Sequence, residues 1–422
     1  MCLHTVKFIL YILFYLFSSG KVKWLMWKVI LLIEPNSSYA TGLLQGVLEY
    51  SRINGPWTFY REPIAPFYRV RDWSSHIDRI KKWGANGIIT RLPTAIRNIT
   101  SLHLPIIATN DNQKYTHSPC VISNYQTTGE MAAKHLLERG FYNFAYCGFN
   151  MMFWSQERAK SYENLLKKNG YEVNFYKYPR TKSQQLWENE SVLMIKWLKS
   201  LPKPVGIMAC NDDRGQQVIE ACRTAGLYVP EEVAVVGVDN DTILCGLSNP
   251  TLSSVNINTT RAGYEMAKLL ENLMNGQKPD SQIIVAHPTH VVTRQSSETL
   301  ATEDIIVSKA VHFIRQNAEK SIQVINIAQE VGTSRRTLLK RFQDTLGRTV
   351  MDELRRVRIE RISQLLLETD LSISQIALKM DFTGIEHISR YFQQEKGMSP
   401  LTYRKKYSSS FYSKRLISQN SI

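Results

Sequence analysis

Two groups of residues in this chain have types and spacings that could do chemistry. The first is a scatter of polar side chains placed directly after short apolar runs. Asn36 and Tyr39 follow Val29–Ile33, Asn211 and Asp212 follow Val205–Ala209, and Asp239 closes Val233–Val238; Trp154 and Arg158 sit where a helix-like stretch begins. Carboxylates, amides and a guanidinium can together donate to and accept from the hydroxyls of a neutral polyol, while an aromatic face covers the apolar side of its ring. Each has a plainer alternative: Asn211 and Asp212 could equally cap the next helix, and Trp154 could be core or hinge packing. The second group is basic. After Gly332-Thr333-Ser334 comes Arg335-Arg336-Thr337, then Lys340 and Arg341. Ser334 suits a helix N-cap. A helix that presents arginines in its first turns can read guanine O6 and N7 bidentately in a DNA major groove.

The elements that must position these residues are of two kinds. From Lys28 to about Arg294, apolar runs at 29–33, 87–89, 105–108, 144–147, 205–209 and 233–238 alternate with amphipathic stretches at 42–50, 128–139, 158–169, 215–225 and 262–275. Runs that are apolar throughout suit strands buried on both faces of a parallel sheet. Regular strand–helix alternation implies a doubly wound α/β architecture, and the length of this region implies two such sheets forming two lobes. In such folds ligands sit beyond the C-terminal ends of strands, which is where the polar residues above stand. Residues 294–302 (RQSSETLAT with its flanks) are polar and turn-prone and read as a linker. Beyond them, up to Tyr407, the pattern is helical only.

That helical segment contains a repeat. Ile327-Ala328-x-x-Val331-Gly332 recurs 49 residues later as Ile376-Ala377-x-x-Met380-Asp381, and Phe342-x4-Gly347 recurs 50 residues later as Phe392-x4-Gly397. Each copy is a short helix, a tight turn and a second helix that ends in Phe and a Gly cap, the grammar of a helix-turn-helix. Leu354–Leu367 can form one helix joining them. In the second copy the outward residues are Glu386, His387, Ser389, Arg390 and Gln393. Glu386 could accept from cytosine N4 or repel phosphate, and Arg390 suits a phosphate. Two motifs on one rigid chain would meet successive major-groove faces about 34 Å apart.

Charge follows the same division. The formal net charge is +15; residues 303–422 carry 20 Lys/Arg against 13 Asp/Glu, whereas half of the excess in residues 1–302 comes from Lys7, Lys21, Lys23 and Lys28. A basic C-terminal quarter favours a polyanionic partner. The six cysteines (Cys2, Cys120, Cys147, Cys210, Cys222, Cys245) are scattered, with neither disulfide nor zinc spacing, and suit a reducing compartment. No phosphate-binding P-loop, G-x-S-x-G elbow, H-E-x-x-H or dinucleotide fingerprint is present, so no enzyme class is indicated and no cofactor or metal is expected. Residues 1–27 include the apolar run Phe8–Phe17, too short to span a bilayer. It reads as an extension ahead of Met26, a membrane anchor or the core of an export signal. The last two underlie a rival reading, an exported or anchored sugar-binding protein.

On these residues the chain resembles two families. Residues 303–407 resemble the DNA-binding domain of the AraC/XylS family: IALKMDFTGIEHISRYFQQEKGMSPLTYRKK follows its signature of I-A-x-x-x-G-F, a spaced Y-F segment and G-x-[ST]-P-x-x-[YF]-R, with Asp381 where that family usually has Gly. Residues 28–296 resemble the periplasmic-binding-protein-like effector domain of LacI-type regulators, through GIMACNDDR (206–214), VVGVDN (235–240), LSSV (252–255) and PTHVVTRQSS (288–297). The first resemblance implies double-stranded operator DNA as partner, with Ser334, Arg335, Arg336, Thr337, Lys340, Glu386, His387 and Arg390 toward it. The second implies a small effector held by Asn36, Tyr39, Trp154, Arg158, Asn211, Asp212 and Asp239. Their combination resembles regulators of xylose use, which implies xylose or a related sugar as effector, RNA polymerase as partner, a homodimer and a cytoplasmic location, with 408–422 as a tail.

Overall fold

The computed structural model describes residues 26–61, 74–91, 99–109, 119–179, 181, 183, 185–277, 283–301 and 304–407; the run Phe8–Phe17 and the segment 408–422 lie outside them. Two six-stranded sheets form the front of the molecule. The first contains β1 (Lys28–Leu32), β2 (Thr58–Arg61), β3 (Gly87–Thr90), β4 (Ile106–Thr109), β5 (Cys120–Ser123) and β11 (Ile283–Ala286), in the order β11-β5-β4-β3-β1-β2, all parallel. The second contains β6 (Asn143–Cys147), β7 (Val173–Phe175), β8 (Val205–Ala209), β9 (Val233–Val238), β10 (Ser253–Ile257) and β12 (Pro288–Val292), in the order β12-β10-β9-β8-β6-β7. Here β12 departs from the expected all-parallel pattern and runs antiparallel to β10, where the chain turns back at the sheet's edge. The central strands β8 and β9 are buried at every position, as their unbroken apolar runs require.

Helices cover both sheets. Among them are α1 (Ser38–Asn54), α2 (Ser74–Trp83), α3 (Tyr125–Leu137), α4 (Phe153–Lys168), α5 (Trp187–Ser200), α6 (Asp212–Ala225), α7 (Thr242–Leu247) and α8 (Thr259–Met274). Backbones of α1 and α8 touch: a Cβ on Gly46 would stand 2.0 Å from the Thr260 carbonyl, and one on Gly263 2.0 Å from that of Leu43. Only glycine permits this approach. The chain passes between lobes after β5, β10 and β11. Asn124 and Asn258 cap the outgoing helices α3 and α8, and the crossings are joined by Asn124 N–H to Ala286 O (2.9 Å) and Asn258 N–H to His287 O (3.0 Å).

The segment read as a linker does not hang free. Arg294 donates to Leu252 O (2.9 Å) and Asn240 Oδ1 (2.8 Å), Ser296 to Val235 O (2.7 Å), and Ser296 and Ser297 are fully buried. A polar, turn-prone sequence was legible, but its serines and arginine satisfy buried backbone groups of the second sheet rather than water.

The C-terminal region is all helix over 304–407: α9 (Ile305–Gln316), α10 (Val324–Glu330), α11 (Arg335–Leu346), α12 (Val350–Glu368), α13 (Ile373–Lys379), α14 (Ile385–Lys396) and α15 (Pro400–Tyr407). The repeat becomes two separate cores. One gathers Val311, Ile327, Ala328, Leu338, Phe342 and Leu354; the other gathers Ile362, Leu366, Ile376, Ala377, Ile388 and Phe392. Helix α12 supplies one end to each. The copies match in detail: α10 and α13 are 7 residues each, α11 and α14 12 each, and Gly347 and Gly397 close the latter with φ of 64° and 70°. Asp381, in the place of Gly332 (φ 69°), takes φ 58°, the left-handed conformation that Asp tolerates better than most residues. Its carboxylate also accepts the Ser321 N–H at 3.0 Å, tying the second turn to the first unit.

Candidate functional site

Between the lobes lies a cavity of about 380 Å3 lined by Leu32, Glu34, Asn36, Ser37, Tyr39, Arg91, Ser123, Tyr125, Met152, Trp154, Arg158, Asn211 and Asp239. Six of the seven residues singled out in the sequence are therefore brought together. They arrive from both lobes because each follows the C-terminal end of a parallel strand or opens the helix after it.

At the floor is a buried ion pair. Arg158, 3% exposed, donates to Asp239 Oδ1 at 3.1 Å and to Cys210 O at 2.5 Å, and its guanidinium lies 5.2 Å from the centre of the Trp154 ring. Burial alone would lower the Arg158 pKa, but Asp239, followed by Tyr146, Tyr125 and Cys210, offsets this and the net direction is upward. The Nε of Arg158 has no hydrogen-bond partner. Asp239 adopts φ 99° and its N–H is held by Val255 O at 3.0 Å, so the strand end is bent to turn this carboxylate toward the cavity. Trp154 packs edge-on to Phe149 at 6.2 Å; it is partly buried packing and cavity wall at once. Opposite, Arg91 lies 5.8 Å over the Tyr39 ring and donates to Ser37 Oγ (3.2 Å), and Asn36 donates to Glu34 Oε2 (3.1 Å).

Asn211 does both things its position allowed. Its Oδ1 caps α6 by accepting the Arg214 N–H (3.1 Å), and the residue lines the cavity. Asp212 does not reach the cavity. It is 2% exposed and turned behind the strand ends, accepting from Ser254 Oγ (2.5 Å) and from Asp241 N–H (2.6 Å). Burial, then the nearby Asp239, pushes its carboxyl well above the usual range. The sequence places it one residue beyond Asn211, and a one-residue step at a helix start rotates the side chain to the other side. Asp212 is thus a buttress of the 239–241 turn. Sequence reasoning also passed over Glu34, Ser37, Arg91 and Tyr125. Arg91 directly follows the apolar run 87–90, so the rule that found Asp239 could have found it.

The basic surface is as the repeat implied. Arg335, Arg336, Thr337 and Lys340 are exposed on α11, while Leu338 and Phe342 are buried. Ser334 Oγ caps this helix through Thr337 N–H (3.1 Å) and lies 2.8 Å from Thr337 Oγ1, so both hydroxyls are engaged with each other. Arg341 is drawn off to Asp304 (2.9 Å). On α14, Glu386, His387 and Arg390 are exposed.

The two regions are locked at one seam. Glu138, at the end of α3, binds Arg356 of α12 (3.2 Å) and accepts through its carbonyl from Arg348. Arg348 and Arg356 also grip the buried Glu353 at 2.8 and 2.7 Å; burial opposes ionisation there, but Arg356 and Arg348 hold its carboxyl below the usual range. At the far end, Asn258 Nδ2 donates to Tyr407 O, so the last described turn of α15 touches the interlobe crossing. No helix among the described residues is long and apolar enough to cross a membrane.

Comparison with known proteins agrees with this architecture. Residues 133–297 match a periplasmic binding protein-like domain and residues 327–406 a helix-turn-helix domain. The chain is 31% identical over 388 residues to the xylose operon regulatory protein of Haemophilus influenzae, covering 90% of this chain and 98% of that one. It is 27% identical over 387 residues to the protein of the same name from Escherichia coli K12, covering 89% and 96%. Among solved structures, that of the xylose-binding transcription activator xylR matches with a TM-score of 0.57 at 26% identity, over 90% of this chain and 98% of that one. A complex of the transcriptional regulator CelR with cellobiose matches with a TM-score of 0.52 at 22% identity, over 64% and 84%, a likeness of fold.

Proposed function

The chain belongs to the family of the xylose operon regulatory proteins, AraC-type helix-turn-helix regulators with a periplasmic-binding-protein-like sensor, and from that premise we propose that it is a cytoplasmic, D-xylose-responsive transcription activator. The observation that carries this reading is the cavity itself. The Arg158–Asp239 pair, Asn211, Asn36 and the Tyr39 and Trp154 rings converge there from two lobes. A pentose offers hydroxyls that need both donors and acceptors and a carbon face that suits an aromatic ring. Asp239, its side chain 16% exposed at the cavity wall, offers a carboxylate to which a sugar hydroxyl can donate.

A sugar touching both lobes favours their closed arrangement, and only by as much as it binds that arrangement better. Lobe movement turns on the crossings at Asn124, Asn258 and His287. The Glu138–Arg356 and Asn258–Tyr407 contacts carry it to the helix-turn-helix units. Two chains paired through their sensors would then present four such units to operator DNA and recruit RNA polymerase.

Calorimetric titration of the full chain with D-xylose, L-arabinose, D-ribose and D-glucose tests the sensor assignment. Saturable heat with D-xylose, weaker or absent with the hexose, is the expected pattern. Tight binding of D-glucose with none of D-xylose would overturn the assignment.

A further inference from the structure

The two helix-turn-helix copies have the same pattern of exposure but not the same chemistry. In the first, Arg335, Arg336 and Thr337 are exposed, Leu338 is buried, Leu339 half-buried and Lys340 exposed; in the second, Ile385, Glu386 and His387 are exposed, Ile388 is buried, Ser389 half-buried and Arg390 exposed. Both helices begin here, Arg335 and Ile385 being the first residue of each. Ile385 therefore stands where Arg335 stands, at the end of the helix that meets base edges in a groove.

The core of the second unit does not require an isoleucine in that place. Ile385 is 50% exposed and lies outside the core that Ile388 and Phe392 build. As a β-branched residue it is a weaker helix former than the Arg of the other copy. The helix it opens also lacks the side-chain cap that Ser334 gives the first, Gly384 standing in that position with no such bond. From Arg335-Arg336 to Ile385-Glu386 the opening pair loses both cations, so this turn is not built for phosphate; Arg390, in the place of Lys340, remains for that. In the major groove the feature that an aliphatic side chain recognises is the C5-methyl of thymine, while the neighbouring carboxylate accepts from cytosine N4.

We infer that Ile385 is a specificity-determining residue that reads a thymine methyl group, so the two units read unlike half-sites, the first through arginine on guanine and the second through isoleucine on thymine. This rests on the chain's binding of operator DNA through both units. The test is selection from a random duplex library by the full chain, by Ile385→Ala and by Ile385→Arg. Each thymine of the recovered site is then replaced with deoxyuridine, which removes only the methyl. One thymine is expected whose replacement weakens the wild type about fourfold, the equivalent of one buried methylene, and leaves Ile385→Ala unchanged; Ile385→Arg should select guanine within that base step. If the Ile385→Ala site equals the wild-type site and every deoxyuridine affects both proteins alike, the inference is wrong while DNA binding stands. If the wild type enriches no sequence, the DNA-binding reading falls and this one with it.

Discussion

Replacing Asp239 by Ala should separate the sensor's stability from its ligand affinity, and the structure sets the size of both effects. Asp239 is the acidic partner of Arg158, whose side chain is 4% exposed against 16% for Asp239 itself. Removing one partner of a buried pair costs about 3–5 kcal/mol because the other charge is left uncompensated. Two features reduce that here. Arg158 keeps its bond to Cys210 O, and Asp239 stands at the cavity wall, where water can take its place. About 2–3 kcal/mol remains, which for a sensor of this size lowers Tm by about 5–10 °C. Ligand affinity should fall further, since a hydrogen bond to a charged acceptor contributes about 1.5–3 kcal/mol, or roughly 10- to 150-fold in Kd. Asp239→Asn, which keeps the shape and an acceptor, should recover part of the stability and less of the affinity. Differential scanning fluorimetry without sugar and calorimetry with D-xylose measure the two quantities. If Asp239→Ala melts within a degree of the wild type and binds D-xylose equally well, the pair neither holds the turn nor meets the ligand, and the cavity assignment fails.

Three further outcomes follow from other parts of the molecule. Arg335→Ala should weaken operator binding by about 1–3 kcal/mol and relax base preference at one position; a uniform loss across all duplexes in an anisotropy titration would mean a phosphate contact instead. Burial, then Arg139, lowers the His135 pKa well below its ordinary value, so this ring stays neutral in the folded chain while the unfolded chain takes up a proton near pH 6.5. Its contribution is therefore complete above pH 6.5 and lost as pH falls, by about 1.4 kcal/mol per unit at most; urea titrations at pH 7.0 and 5.5 should show this loss and His135→Gln should lessen it, whereas an unchanged slope would remove the ring as its cause. Glu138→Ala, which strips the seam of its tie to Arg356, should leave D-xylose affinity intact and shrink the difference in DNA affinity with and without sugar. An undiminished difference in gel-shift titrations would show that the seam carries no signal.

How much of this was legible in the sequence depended on burial. Strands flanked on both sides, such as 205–209 and 233–238, announced themselves because every position is apolar. The edge strands at 58–61 and 173–175 did not: their residues are half-exposed and mixed, so no run forms. The return of 283–286 to the first sheet, after the second is largely built, is a matter of topology that local pattern cannot carry. Six of the thirteen cavity residues were readable because parallel sheets send their strand ends to one place. Asp212 misled because helix geometry, not residue type, decides which of two neighbouring carboxylates looks inward. Glu34 directly follows the run 29–33 and Arg91 the strand Gly87–Thr90, so the rule that found Asp239 applies to both. In the helical region the repeat made anchors and exposed faces predictable, and even the departure at Asp381 was resolved by the φ that the turn imposes. Ile385 escaped notice because an aliphatic residue beside buried Ile388 looks like core until exposure is known.

The coupling of cavity to DNA is tested most directly by one titration: the affinity of the full chain for its selected duplex, measured by fluorescence anisotropy across a range of D-xylose concentrations, for wild type and Asp239→Ala. Wild-type affinity should change several-fold and saturate at the concentration that fills the cavity, and the variant should need far more sugar to respond. A wild type that binds D-xylose in the cavity yet holds the duplex with one unchanged Kd at every concentration would contradict the link between sensor and helix-turn-helix pair.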